Sequence, residues 1–268
     1  MNLEASKTLE KIEAYQRNWS TYNRFRKVFF RFYFKLFHRL EVIGRENVPK
    51  GASLVAANHG GGFDLDNVAL SDCGLPDRQI QALIESKWHF INHWWGRWWV
   101  GSGIPVPTQG GINYKLIDSY LKKGGEHYPA TISIYPEGHS GLFKNRCVID
   151  MFFPGVVRLA VRYQVPIVPV AMIGFREACP ILTETFKDHG PNMPVIMLPP
   201  LPLKLKIEFG APFELDDYYG LSLSKEEEYW IANQIVRPRV ADIMAKHKRV
   251  EQSKVSVKMK KPDLAVKS

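Results

Sequence analysis

Ser53-Leu54-Val55-Ala56-Ala57-Asn58-His59-Gly60-Gly61-Gly62-Phe63-Asp64, followed by LDNVALSD to residue 72, carries the reading of the fold. SLVAAN is a short, continuously apolar run ending in a turn signal, the pattern of a strand buried on both faces. The three glycines then break it, and the pattern from about 65 to 72 is helical. Strand, tight turn and helix in that order are the opening of an α/β unit. The C-terminal end of such a strand is where open α/β sheets place their ligands.

Working outward, QIQALI (79–84), TISIY (131–135), PIVPVAMI (166–173) and KLKIEF (204–209) also read as strands. Helical patterns fall near 65–72, 86–100, 112–123 and 155–163. The alternation predicts an α/β fold with a mixed, mainly parallel sheet covered by helices on both faces. VPIVPV alone reads as an edge or bulged strand because of its prolines. A last helix from about 225 to 246 opens with a Ser224/Glu227 capping box and meets Pro238 midway, where a kink or break is expected. Residues 190–203, GPNMPVIMLPPLPL, with five prolines, read as an extended loop.

The net charge of +9 is unevenly distributed. Residues 1–40 carry net +6 and residues 246–268 another +6, leaving the middle slightly acidic at −3. Basicity confined to the ends argues against a nucleic-acid-binding core and for attraction of the ends to anionic surfaces. Three widely spaced cysteines form no CxxC pair, so neither a disulfide framework nor a zinc ribbon is encoded and a reducing compartment is expected. The N-terminus lacks the apolar core of a secretory signal, and no stretch has 18 uninterrupted apolar residues.

Residues 19–40 hold nine aromatics in 22 positions. On a helical wheel Arg24, Lys27, Arg31, Lys35, His38 and Arg39 share one face; Tyr22, Phe25, Phe29, Phe32, Tyr33, Leu36 and Leu40 lie opposite, and only Arg26 sits badly. This is the pattern of an interfacial helix with rings in the acyl boundary and cations on lipid phosphate, the alternative being a helix packed on the core. Three segments are expected: an amphipathic membrane-binding segment at 1–40, an α/β domain at 41–246, and a basic disordered tail at 247–268. Trp19, Phe25, Phe29, Phe32, Trp94 and Trp98 are the membrane-contact candidates, the last two from a cluster of five tryptophans at 88–99 that equally suits an acyl tunnel or core packing.

Two constellations carry chemistry. A His at a strand end with an Asp five positions on can fold back so that the carboxylate accepts the Nδ1 proton, leaving Nε2 as a general base; this nominates His59 and Asp64. The plainer reading has Asp64 capping the next helix. Tyr135-Pro136-Glu137-Gly138-His139-Ser140-Gly141 again follows a strand, with glycines that permit close approach to a ligand.

These runs, in this order, resemble the glycerolipid acyltransferase superfamily, the lysophosphatidic acid acyltransferase (PlsC-like) group. VIGRENVPKGASLVAANHGGGFD resembles the lead-in to its H-x4-D block, Glu85-Ser86-Lys87 with GSGIPV its middle block, YPEG its PEG block, VPIVPVAMIG its last block, and EFGAPFE the short strand after it. The resemblance runs over about residues 41–215. It implies acyl transfer from acyl-CoA or acyl carrier protein to a hydroxyl of a lysophospholipid or related glycerolipid, without cofactor or metal. His59 would be the base and Asp64 its orienting partner. Lys87, Thr108, Glu137, Gly138, His139, Ser140 and Arg146 would contact substrate. It also implies a peripheral protein on the cytoplasmic face of an anionic membrane.

The chain departs from the family at two arginines usually credited with holding the acceptor phosphate: Thr108 and the His139-Ser140-Gly141 run stand where they are expected. Neither Thr nor Ser supplies a guanidinium's charge or bidentate grip, which leaves Lys144, Arg146 or Arg158 to take over, or an acceptor without that phosphate. Two rival readings remain. In the first, a serine esterase would use Ser140 as nucleophile, His59-Gly60-Gly61-Gly62 as oxyanion hole, and a downstream acid and His such as Asp188 and His189. In the second, the protein would be a noncatalytic membrane-binding protein with a decayed site.

Overall fold

The computed structural model describes residues 20–85, 103–106, 114–187, 190–196 and 199–248. The first predicted strand is β2 (Ser53–Ala57), buried along its whole length. Around it runs a seven-stranded sheet of β1 (Glu41–Ile43), β2, β3 (Ile80–Glu85), β4 (Ile104–Val106), β5 (Thr131–Ile134), β6 (Ile167–Ile173) and β9 (Lys206–Phe209). The strand order is β1-β9-β6-β2-β5-β3-β4. Every pairing is parallel except β6 with β9, so the sheet is mixed and mainly parallel.

Period-2 alternation splits the core into two layers. Leu54, Ala56, Ile132, Ile167 and Ala171 face one side. There they meet α3 (Tyr114–Leu121), α4 (Gly155–Tyr163) and the C-terminal helices through Ile117, Val156, Leu159, Ile231 and Val240. Val55, Ala57, Val168, Val170 and Met172 face the other side, under α1 (Ser20–Leu36) and α2 (Leu65–Cys73) through Phe30, Phe34, Leu65, Val68 and Leu70. Each Phe buried in this way is worth about 1.5–3 kcal/mol. The expected helices at 86–100, the tryptophan cluster, Trp19, Lys87, Thr108, Asp188, His189 and most of the basic tail lie outside the described residues.

Three expectations need correction. VPIVPV is no edge: β6 lies between β2 and β9. Pro169 falls where the regular antiparallel pairing stops, between the Val170–Phe209 pair and the isolated Ile167–Phe213 bridge, and its carbonyl accepts from the Gly210 N–H at 2.8 Å. The proline-rich run is partly strand, since β8 (Gly190–Ile196) pairs antiparallel with β7 (Ile181–Lys187) in a separate two-stranded ribbon. A ribbon edge needs no N–H on its free side, which is how prolines enter it.

The third concerns α1, whose Arg26, the misfit on the wheel, points inward. Arg26 pairs with Asp72 of α2 at 2.9 Å, both side chains at or below 1% exposure. Arg26, Phe30 and Phe34 recur every four residues, so this stripe is the docking face. Arg31 donates to the carbonyls of Asp72, Leu75 and Pro76 just at and beyond the end of α2, where a cation suits the helix dipole. The outer face keeps Phe25, Phe29 and Phe32 at 68%, 46% and 65% exposure. Thus α1 belongs to the packed body by one side and presents aromatic rings to its surroundings by another.

The capping box at Ser224 forms as read, opening α6 (Lys225–Ile231). Pro238 does not break the helix outright. A π-helical turn over Ala232–Val236 precedes it, leading into α7 (Arg237–Lys246). The extra residue per turn gives the proline ring room where an α-helical carbonyl would collide with it.

Candidate active site

Because β6, β2 and β5 are adjacent and parallel, their C-terminal ends deliver three loops to one place. From β2 comes His59, from β5 Glu137 and Ser140, and from β6 Arg176, in the short helix α5 (Phe175–Ala178).

The backbone of His59 is held at both ends. Its N–H donates to Glu137 Oε1 at 2.8 Å, and its carbonyl accepts from Arg176 Nε and Nη2 at 2.9 and 2.6 Å. The Arg176 guanidinium also reaches both Glu137 oxygens, at 3.2 and 3.0 Å, and the carbonyls of Asn145 and Val148, at 3.1 and 2.7 Å. Glu137 Oε2 further accepts from the Asp150 N–H at 3.0 Å. The pair is buried and richly bonded, the condition under which two interior charges are tolerated.

The Arg176 side chain explains two of the glycines. A Cβ on Gly60 would lie 2.4 Å from Arg176 Cγ, and one on Gly141 2.6 Å from Arg176 Cζ. These two glycines admit Arg176, where the sequence suggested room for a ligand. Gly61 adds a positive φ of 91°, which other residues adopt only under strain.

The imidazole is oriented by a carboxylate, but not the expected one. His59 Nδ1 donates to Asp66 Oδ2 at 2.6 Å. The same oxygen accepts from the Gly60 N–H at 2.8 Å, and Oδ1 from the Asn67 N–H at 2.8 Å. Asp64 is instead at the end of a 3₁₀ turn, Gly62–Asp64, with φ 50°, while Asp66 lies in the first turn of α2 where its side chain reaches back over the glycine loop. The spacing at the imidazole is therefore H-x6-D. Burial of His59 disfavours its charged form, but Asp66, helped by Asp64 and Glu137, outweighs that and holds its pKa above the ordinary 6.5.

On the opposite ring nitrogen, the Ser140 hydroxyl donates to His59 Nε2 at 3.0 Å. Tyr135 lies against the imidazole with ring centroids 4.5 Å apart. The Tyr135 hydroxyl is buried and finds no hydrogen-bond partner among the described residues. Its own ionisation is pushed well up by burial, then by Asp66 and Asp64.

Of the other nominated residues, Gly138 is exposed, in a turn with φ 73°. His139 folds back, its Nδ1 on the Glu137 carbonyl at 2.9 Å and its Nε2 3.4 Å from Asp150 Oδ2. Arg146 is exposed and stacked on Phe143 at 4.8 Å. Arg158 is committed to Glu228 through two bonds. The esterase reading loses part of its oxyanion hole: the Gly60 N–H is donated to Asp66 and the Gly62 N–H to the Cys179 carbonyl at 2.7 Å. Asp66 and Arg176 were missed from the sequence. A second Asp two residues after the first, in the opening turn of a helix, was the available signal for Asp66. Arg176 gave none, since a lone Arg after an apolar strand reads as surface.

Comparison with known proteins bears on the family and the fold. The sequence model of the family described as Acyltransferase matches residues 39–173. An uncharacterized protein of Mycobacterium tuberculosis is 31% identical over 211 residues, covering 70% of this chain and 56% of that protein. One of Mycobacterium leprae is 30% identical over 213 residues, covering 71% and 55%. The chain thus spans just over half the length of these curated relatives. The crystal structure of the 1-acyl-sn-glycerophosphate (LPA) acyltransferase PlsC from Thermotoga maritima shares the fold with a TM-score of 0.52 at 20% identity, over 83% of this chain and 80% of that one.

Proposed function

Since the chain belongs to the Acyltransferase family, we propose that it moves a fatty acyl group from a thioester, acyl-CoA or acyl carrier protein, to a hydroxyl of a lysophospholipid or related glycerolipid. His59 Nε2 is the general base and Asp66, in place of Asp64, holds the ring. The observation that carries this reading is the Asp66–His59 bond of 2.6 Å with a hydroxyl already seated 3.0 Å from Nε2. A carboxylate on Nδ1 fixes the tautomer whose Nε2 lone pair faces the hydroxyl, and it stabilises the imidazolium that forms as the proton transfers.

Glu137 and Arg176 act through His59 by holding both sides of its peptide, so they are positioning residues. Lys144 and Arg146, exposed on the turn after Ser140, are the cations nearest in sequence to the site that remain available to an anionic head group. The exposed rings of Phe25, Phe29 and Phe32 support peripheral association with an anionic membrane, on its cytoplasmic face, with the rings in the acyl boundary.

The test is thiol release from acyl-CoA and acyl carrier protein, with and without a panel of lyso-lipid and glycerol-phosphate acceptors. Acceptor-dependent release is expected, falling about 10²- to 10⁴-fold in His59→Ala, the usual weight of a general base. Steady release that ignores the acceptor overturns the reading.

A further inference from the structure

The proline-rich run between β8 and β9 belongs to neither the sheet nor the site, and its Leu201-Pro202-Leu203 segment combines two properties. Its leucines are exposed, each at 39%. Its backbone groups are nevertheless all paired within the protein. The Leu201 N–H donates to the Ala178 carbonyl at 2.7 Å, and the Leu203 N–H to the Leu201 carbonyl at 2.7 Å. The Pro202 carbonyl accepts from Arg39 Nη2 at 2.6 Å, and the Leu203 carbonyl from His38 Nδ1 at 3.2 Å. Proline brings no N–H of its own to satisfy. His38 is fixed in this role, since burial disfavours its charged form and its Nε2 accepts from the Tyr33 hydroxyl at 3.1 Å. Apolar side chains on a backbone satisfied from within are what hydrocarbon demands of a segment and water does not.

The bonds from His38 and Arg39 seat this segment against the C-terminal end of α1. Leu36 and Phe37 are exposed there, so the outer face of Phe25, Phe29 and Phe32 runs on through them to Leu203 and Leu201. The strip ends at Ala178 of α5, the helix whose Arg176 holds the His59 carbonyl. Lys35, Arg39 and Lys204 are exposed along it, and Glu41 is shared by Lys204 and Lys206, so this border is net positive. An apolar strip rimmed by long cationic side chains fits a leaflet holding anionic lipid, acyl chains against the leucines and rings, phosphates against the cations. We propose that Leu201 and Leu203 enter the acyl region of an anionic membrane together with the outer face of α1. This rests on the membrane association proposed above and goes beyond it by adding a second contact far away in sequence. A single helix leaves the body free to roll about the helix axis. Two contacts fix its tilt, and the second brings the end of the sheet that carries His59 toward the lipid.

The full chain carrying Cys147→Ser is labelled with a nitrobenzoxadiazole fluorophore through Leu203→Cys, through Leu36→Cys or, as control, through Asp242→Cys. Asp242 is exposed on α7, which packs on the opposite face of the sheet. Cys73 and Cys179 stay unlabelled, because both are buried and their thiols are pushed up to about 12 and about 11. The vesicles are phosphatidylcholine and phosphatidylglycerol in equal parts, with and without bromine on the acyl chains. The expected result is a blue shift and quenching by the brominated chains at Leu203 and at Leu36, and neither at Asp242. Leu201→Ser with Leu203→Ser should lower vesicle partition roughly tenfold and leave the unfolding midpoint unchanged. Quenching at Leu36 without quenching at Leu203 overturns the second contact and leaves α1 as the anchor. No quenching at either position, with the chain left in the supernatant, overturns the membrane reading beneath the proposal. A blue shift at Leu203 that needs no vesicles and grows with protein concentration overturns the proposal in favour of a second copy on this face.

Discussion

Asp66→Asn and Asp64→Asn are two residues apart and remove the same charge, yet the geometry predicts a clearly larger loss for the first. Asp66 receives three N–H groups on two oxygens, from His59 and Gly60 on Oδ2 and from Asn67 on Oδ1. An asparagine has one oxygen to offer. With that oxygen toward His59, its NH₂ opposes the Asn67 N–H, and the bond to Nδ1 survives without charge. A charge-assisted bond is worth about 1.5–3 kcal/mol against about 0.5–1.5 for a neutral one, so the loss is about 1–2 kcal/mol, or roughly 5- to 30-fold in rate. With the amide reversed, its NH₂ faces Nδ1, the ring proton moves to Nε2, and the base is gone; inversion of this kind costs about 10⁴-fold in a serine protease. Asp66→Asn should therefore fall between about 5-fold and about 10⁴-fold in acceptor-dependent thiol release, according to the amide orientation, and Asp64→Asn by no more than about threefold, since its effect on the ring is electrostatic. The pH profile gives a second readout. The base must be neutral, so the rate rises with pH through a His59 pKa held above 6.5, and Asp66→Asn should move that rise to lower pH. Equal losses in the two variants, or more than about a third of wild-type activity in Asp66→Asn, would refute the assignment.

Arg176→Met leaves Glu137 charged, buried and without its cation, and should cost about 3–5 kcal/mol in urea unfolding; adding Glu137→Gln to it should recover part of that loss, because the uncompensated charge is removed. Tyr135→Phe should change stability by less than about 0.5 kcal/mol or raise it, since the hydroxyl has no bond among the described residues to lose; a drop beyond about 1 kcal/mol in thermal or urea unfolding would mean that it has a partner. Replacing Phe25, Phe29 and Phe32 together by Ser should leave the unfolding midpoint nearly unchanged and lower partition onto anionic vesicles at least about tenfold, given about 1.5–3 kcal/mol for each fully buried ring. Sedimentation unaffected by the triple change would place the membrane contact elsewhere. Deleting residues 1–40 is a poorer test, because Phe30 and Phe34 would leave the core with them.

The sheet and most of its helices were legible because their patterns are local. β2 and β6 are buried on both faces and read as apolar runs, while α4 shows its inner stripe of Val156, Val157, Leu159 and Ala160 to any helical wheel. β8 was hidden because it holds two prolines and three more follow it in sequence, and only its pairing with β7 makes a strand of it. Arg26 was hidden for the opposite reason: it fits a helix but not the basic face, and the Asp72 that accounts for it is 46 residues away.

The active-site error has a sharper cause. A motif written as a spacing assumes a fixed path between its two residues, and here the path was set by something the spacing cannot register. Arg176 fills the space beside Gly60 and Gly141, and the loop passes around it without side chains before α2 begins at Leu65. The carboxylate that returns to the imidazole is therefore the one in the first turn of the helix, where its direction is fixed, and not the one in the turn before it. The same buried guanidinium holds the His59 carbonyl and the Glu137 carboxylate, and Glu137 sits three residues from Ser140 on the loop that completes the site. One arginine thus sets the path of both loops, and the identity of both partners of the histidine, Asp66 and Ser140, follows from where those loops are made to run.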